Sequence, residues 1–250
     1  MTPSTSGKTL DLIATATFGL EAVVSRELKQ LGYDDQKVED GRVLFRADAS
    51  AICRANLQLR SADRVLVNVG SFEARDFGKL FDGAKALPWS DWLTPDARFP
   101  VSGRSVKSQL HSVPDCQSIV KKAIVEHLRK STRAAWFPED GPEFAVEVAL
   151  LKDRATLTLD TSGDGLHKRG YRKLVGPAPL KETLASGLLQ LTYWNGGRPF
   201  LDPFCGTGTT GVRAIELGRN FIGIDGKKEY CRIARKCITE ALKEPVKKAA

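Results

Sequence analysis

The chain has 250 residues, 42% of them hydrophobic, and 38 Lys and Arg against 30 Asp and Glu leave a net charge of +8. That length favours two compact units or three small ones, the apolar fraction excludes a wholly disordered chain, and the charge permits a nucleic-acid partner without demonstrating one. No apolar run reaches the roughly 18 residues of a membrane span, the polar amino terminus lacks an export signal's core, and 5 Cys without a C-x-x-C pair point to reduced thiols in a cytoplasm.

The first 70 residues alternate strand and helix. Leu10–Ala16 is β-rich, Gly19–Leu31 spaces Leu20, Val23, Val24, Leu28 and Leu31 as a helix, and Gly32 stands where a glycine cap ends one. Asp40-Gly41 marks a tight hairpin turn between Val38 and Phe45. Ala49–Leu59 is a second helix with Ser50 as candidate cap, and Arg64–Val69 is another strand. The order β-α-β-β-α-β predicts a ferredoxin-like unit over 1–70, a scaffold that says nothing by itself about function.

A second unit is expected over 71–161. Phe77–Ala86 is a short helix, Pro88–Trp92 an aromatic turn and Arg98–Ser102 a strand. Asp115 is placed to cap a long helix to Arg133, and two antiparallel strands meet at Lys152-Asp153. Residues 162–180 hold four Gly and two Pro and read as a linker. The unit from 181 to 250 opens with a helix, Lys181–Trp194, and continues strand, glycine-rich turn, helix, strand, helix, the start of a doubly wound parallel sheet. The fold class is α/β, with an α+β amino-terminal part.

The glycine-rich turn carries the chemistry. Gly206 and Gly208 let the backbone approach a ligand closely, and the amides opening the next helix point toward it. Asp225 ends the following strand 19 residues after Gly206, where a carboxylate grips a ribose hydroxyl pair. A phosphate-binding P-loop fails for want of Gly-Lys-[Ser/Thr]. Asp202 puts a carboxylate where a pyrophosphate would sit, which a cationic sulfonium ligand without phosphate tolerates. The alternative is a tight strand-to-helix turn with no ligand.

Asp202-Pro203-Phe204-Cys205-Gly206-Thr207-Gly208-Thr209 resembles the first motif of class I S-adenosylmethionine-dependent methyltransferases acting on exocyclic amines of nucleic-acid bases. Upstream, Ser105–Lys122, Gly165–Arg172 and Ala178–Ala185 resemble the THUMP-domain RNA methyltransferases, which modify guanine amines in ribosomal RNA. The resemblance implies a ferredoxin-like segment, a THUMP RNA-binding domain and a partial Rossmann-like methyltransferase domain. It also implies S-adenosylmethionine as cofactor, held by Asp202–Thr209 and Asp225 with Lys181 and Thr183 as a wall of the pocket. Leu217–Lys236 is more similar to the carboxyl end of permuted DNA amino-methyltransferases. The tetrapeptide [Asn/Asp/Ser]-Pro-Pro-[Tyr/Phe], by which both families hold the target base, is missing from all 250 residues, and Pro-Pro does not occur. No catalytic residue is therefore assigned. A non-catalytic RNA-binding module and a DNA amino-methyltransferase relic stand as alternatives.

Two basic clusters are the candidate RNA platform. Arg104, Lys107, Lys121, Lys122, Arg129, Lys130 and Arg133 face only Asp115 and Glu126 along 104–133, and Lys168, Arg169, Arg172 and Lys173 face only Asp164 along 164–173. Tyr171 is placed to stack on an unpaired base and His111 to contact RNA, with solvated helix faces and loop capping as the alternatives. The three His lack metal spacing, so no metal is expected. The four Trp read as core or interdomain anchors. Alone, the chain is expected to bind RNA, to bind cofactor weakly if at all and to transfer methyl groups undetectably, its terminal sheet completed by self-association or a partner strand.

Overall fold

The computed structural model describes residues 9–132, 137–170, 180–192 and 194–243. The chain divides into two compact units, Met1–Lys168 with Leu180–Gly187, and Arg169–Pro179 with Leu188–Ala250.

The first unit is built on one seven-stranded sheet. Its strands are β1 (Leu10–Ala16), β2 (Gln36–Glu39), β3 (Arg42–Ala47), β4 (Ala62–Glu73), β5 (Val101–Val106), β6 (Val146–Leu151) and β7 (Arg154–Asp160), in the order β2-β3-β1-β4-β7-β6-β5. All neighbours are antiparallel except β5 and β6. The first four strands, with α1 (Glu21–Gln30) and α2 (Ser50–Gln58), make the expected ferredoxin-like arrangement. β4 then runs on past residue 70 and pairs with β7, Leu66 opposite Asp160 and Glu73 opposite Arg154. The two stretches read separately in the sequence thus share one continuous sheet.

Alternation along the strands explains the core. Leu12 lies between Phe45 and Val67, and Val148 opposite Leu157, all buried on one face. Over that face pack Val24 and Leu28 of α1, Ala51 and Ala55 of α2, Leu80 and Ala84 of α3 (Phe77–Ala86), and Val120, Ile124 and Leu128 of α4 (Val113–Thr132), forming one cluster. The other face is more polar, with Arg64 paired to Asp160 and Arg46 to Asp11. Gly41 adopts φ +73° in the hairpin turn, and its amide donates to the Glu21 carboxylate at 2.8 Å. The helix caps differ from expectation. The Asp48 carboxylate takes the amides of Ser50 and Ala51, and the Ser50 hydroxyl also donates to it, so Asp48 closes α2. Asp115 lies inside the first turn of α4, where its charge favours the helix dipole. Trp89 is fully buried and its indole donates to the Ala84 carbonyl. Trp136 is outside the described residues.

α5 (Glu182–Leu191) begins in the first unit: the Thr183 hydroxyl donates to Asp63 of β4 at 2.6 Å, and Gly187 packs on Leu20. The second unit contains β8 (Phe200–Asp202), α6 (Thr209–Glu216), β9 (Phe221–Gly223) and α7 (Lys228–Ala241), with β8 and β9 parallel. Phe200 stacks on Phe221 and takes the edge of Trp194. Leu201, Ile222 and Ile224 are 52%, 52% and 54% exposed, so the ribbon's apolar surface is only partly covered. Among the described residues no helix is long and apolar enough to cross a membrane.

Candidate cofactor site and basic surfaces

The turn from β8 into α6 is held by a backbone and carboxylate network within the second unit. The Ile224 amide donates to the Asp202 carbonyl and the Cys205 amide to the Ile224 carbonyl, each at 2.9 Å. The Asp202 carboxylate accepts from the Phe204 amide at 3.0 Å and so shapes the entry to the turn. Asp225 closes it: one oxygen accepts from the Gly206 amide at 2.9 Å and the other from the Lys227 amide at 2.8 Å. The acid expected 19 residues after Gly206 thus lies against the turn, bonded to the Gly206 amide itself.

The two glycines do different work. Gly206 has φ +52°, and a Cβ there would meet nothing within 4 Å, so its backbone lies bare to open space. Gly208, at φ +87°, starts α6, and a Cβ there would stand 2.8 Å from the Ala234 Cα, so glycine lets α6 and α7 close on each other. Phe204 is 86% exposed on the turn, an aromatic ring not spent on the core. A bare backbone, a fixed carboxylate with further lone pairs and the amides of a helix start fit a ligand that presents ribose hydroxyls.

Asp225→Ala leaves the amides of Gly206 and Lys227 without their acceptor and is expected to weaken binding of S-adenosylhomocysteine by about 1–3 kcal/mol in calorimetry. An unchanged affinity with the fold intact would place the ribose elsewhere. Burial pushes the Cys205 thiol above the ordinary cysteine value, and the carboxylates of Asp202 and Asp225 and the nearby Cys231 add to the effect. Cys205 therefore stays protonated at neutral pH, which argues against a nucleophilic role. Its rate of alkylation by iodoacetamide is expected to rise with a midpoint above about pH 8.5, the value of a free cysteine. A midpoint at or below that value would contradict the burial argument.

The other expected residues are dispersed. Lys181 and Thr183 face Asp63, at 3.9 and 2.6 Å, so their observed partner belongs to the sheet of the first unit rather than to the turn. Three of the candidate RNA contacts are paired with acids: Arg104 with Glu147, Lys121 with Glu139 and Lys168 with Asp164. Lys122 lies over the Phe81 ring, and the His111 ring meets the Gln109 carbonyl at 3.0 Å. Arg129 and Lys130 stand exposed in the last turn of α4, and Lys107 is exposed beyond β5 at φ +49°. Arg169 lies in the short described stretch before Tyr171, while Tyr171, Arg172, Lys173 and Arg133 are outside the described residues. The structure shows a cavity of about 400 Å³ lined by Asp225, Lys228, Cys231, Arg232 and Arg235. Sequence reasoning passed over these residues, although their i, i+4, i+7 cations were a legible signal. Among the described residues no three metal-ligating side chains come together.

Comparison with known proteins agrees with this architecture. Residues 11–66 match the RlmL ferredoxin-like domain, 74–160 the THUMP domain and 169–249 the RMKL-like methyltransferase domain. A Listeria monocytogenes protein described as a predicted N6-adenine-specific DNA methylase is 46% identical, with a TM-score of 0.84 over 94% of this chain and 72% of its own. The chain belongs to the THUMP-domain methyltransferase family. A second structure, SMU.472, described as a predicted methyltransferase complexed with SAH, is 39% identical at a TM-score of 0.84, covering 96% of this chain and 74% of that one. TrmN from Thermus thermophilus is 25% identical at a TM-score of 0.69, over 94% and 71%. YpsC of Bacillus subtilis, named as a predicted RNA methyltransferase, is 56% identical over 85% of this chain. The chain spans 56% of YpsC's length.

Proposed function

We propose that this chain is the RNA- and cofactor-binding part of an S-adenosylmethionine-dependent RNA methyltransferase of the cytoplasm, directed at the exocyclic amine of guanine in ribosomal RNA. The observation that carries the reading is the bare Gly206 backbone locked to Asp225, in a chain that also contains a THUMP domain. When bound, S-adenosylmethionine supplies an electrophilic methyl on its sulfonium. Asp225 keeps lone pairs beyond those used by Gly206 and Lys227, and these would accept the ribose hydroxyls. The amides at the start of α6 and the exposed ring of Phe204 would help to hold the ligand. The chain's contribution is orientation and desolvation. The pocket rests on Asp202–Thr209 and Asp225, with Lys181 and Thr183 holding the start of α5 to Asp63.

The DNA methylase name carried by the Listeria relative favours a second reading, a DNA amino-methyltransferase relic, and the missing Pro-Pro a third, a non-catalytic RNA-binding module. Anisotropy with a labelled ribosomal RNA fragment and a DNA duplex of equal length separates the first two. Tighter binding of the RNA is expected, and replacing Lys168, Arg169 and Arg172 with Ala is expected to flatten the salt slope by about one unit per lost phosphate contact. Equal affinity for DNA would favour the relic. The exposed Leu201, Ile222 and Ile224 support a second copy of the chain as the partner that completes the β8–β9 sheet. Sedimentation should then show a dimer, and a monomer at all concentrations would refute it.

A further inference from the structure

We propose that Lys228, Arg232 and Arg235 form a phosphate-tracking strip on α7 that seats the backbone of a single-stranded RNA segment beside the cofactor turn; this rests on the reading of Asp225 as the cofactor's ribose acid. The three cations stand at i, i+4 and i+7, so they share one face of the helix and, with Asp225 and Cys231, line one cavity. All three are exposed, and among the described residues none makes an ion pair, although Glu229 stands one turn before Arg232. Elsewhere in this unit Arg213 is paired with Glu216 at 2.6 Å.

Like charges at these spacings work against the helix, so a strip of them left unpaired points to an anion from outside. From Lys228 to Arg235 the helix rises about 10 Å. Three cations in a line over that distance suit consecutive phosphates better than one mononucleotide. An enzyme acting on a base takes a single strand or turns its nucleotide out of the stack, so the backbone beside such a site carries an unpaired nucleotide.

The test uses the full chain and a fluorescent oligouridylate, with anisotropy followed across a salt series. The combined variant Lys228→Gln, Arg232→Gln and Arg235→Gln keeps good helix formers at each position. Three lost contacts on a single strand should reduce the slope of log K against log salt by about 2, with circular dichroism and S-adenosylhomocysteine affinity unchanged. A slope equal to that of the unaltered chain would overturn the proposal, as would a variant that loses the cofactor too. Loss of binding to phosphatidylglycerol vesicles with the RNA slope intact would also overturn it and assign the strip to lipid. Absence of cofactor binding in the unaltered chain would strike the reading of Asp225 instead, and the RNA series would still report on the strip.

Discussion

Gly206→Val is expected to abolish binding of S-adenosylhomocysteine in calorimetry while leaving the fold of the second unit recognisable by circular dichroism. Beyond its chain neighbours, a Cβ at Gly206 meets no atom within 4 Å, so the added side chain points into open space. It projects into the open space where the ligand's contact with backbone would form. The residue also sits at φ +52°, a region that β-branched side chains occupy only under strain. The contrast is Gly208→Ala, which drives a methyl against the Ala234 backbone and lowers stability rather than affinity alone. Retained affinity in Gly206→Val would mean that the turn is a structural corner without a ligand.

The second large effect lies in the first unit. Trp89→Ala is expected to cost about 3–5 kcal/mol, the usual range for emptying a buried aromatic site. Trp89 is wholly buried in the cluster with Leu80, Ala84 and Leu128, and its indole satisfies the Ala84 carbonyl at the end of α3. Removing it opens a cavity and takes from the Ala84 carbonyl the shorter of its two hydrogen bonds, leaving it only the Leu87 amide at 3.3 Å. Urea unfolding followed by far-ultraviolet circular dichroism would measure the loss, and Trp89→Phe should recover part of it. A shift below about 1 kcal/mol, outside the range for such truncations, would show that the aromatic turn does not anchor α3 and α4.

What could be read from the sequence was what neighbouring residues specify. Leu10–Ala16 and Phe77–Ala86 appear with the bounds that their periodicity predicts. Asp40-Gly41 makes its turn, and the Gly206–Asp225 spacing becomes a hydrogen bond. What was hidden depends on residues far apart in the chain. Nothing local announces that β4 continues past Val69 to pair with β7, since Leu66 finds Asp160 across more than ninety positions. The tie from Thr183 to Asp63 spans 120 residues and shows only in the fold. Counting charges along one segment likewise overstated the basic clusters, because Glu147 and Glu139 arrive from elsewhere to meet Arg104 and Lys121. At α2 the sequence pointed to Ser50 as the cap, and the structure gives that part to Asp48, whose carboxylate takes the Ser50 and Ala51 amides.

The central claim is that the turn Asp202–Thr209 with Asp225 holds S-adenosylmethionine. Ultraviolet cross-linking of the chain to tritiated S-adenosylmethionine, followed by peptide mapping, tests it most directly. The account predicts saturable labelling, competed by S-adenosylhomocysteine, on the peptide that carries residues 202–213. Label spread across the chain, label on a peptide of the first unit, or no competable label at all would contradict it.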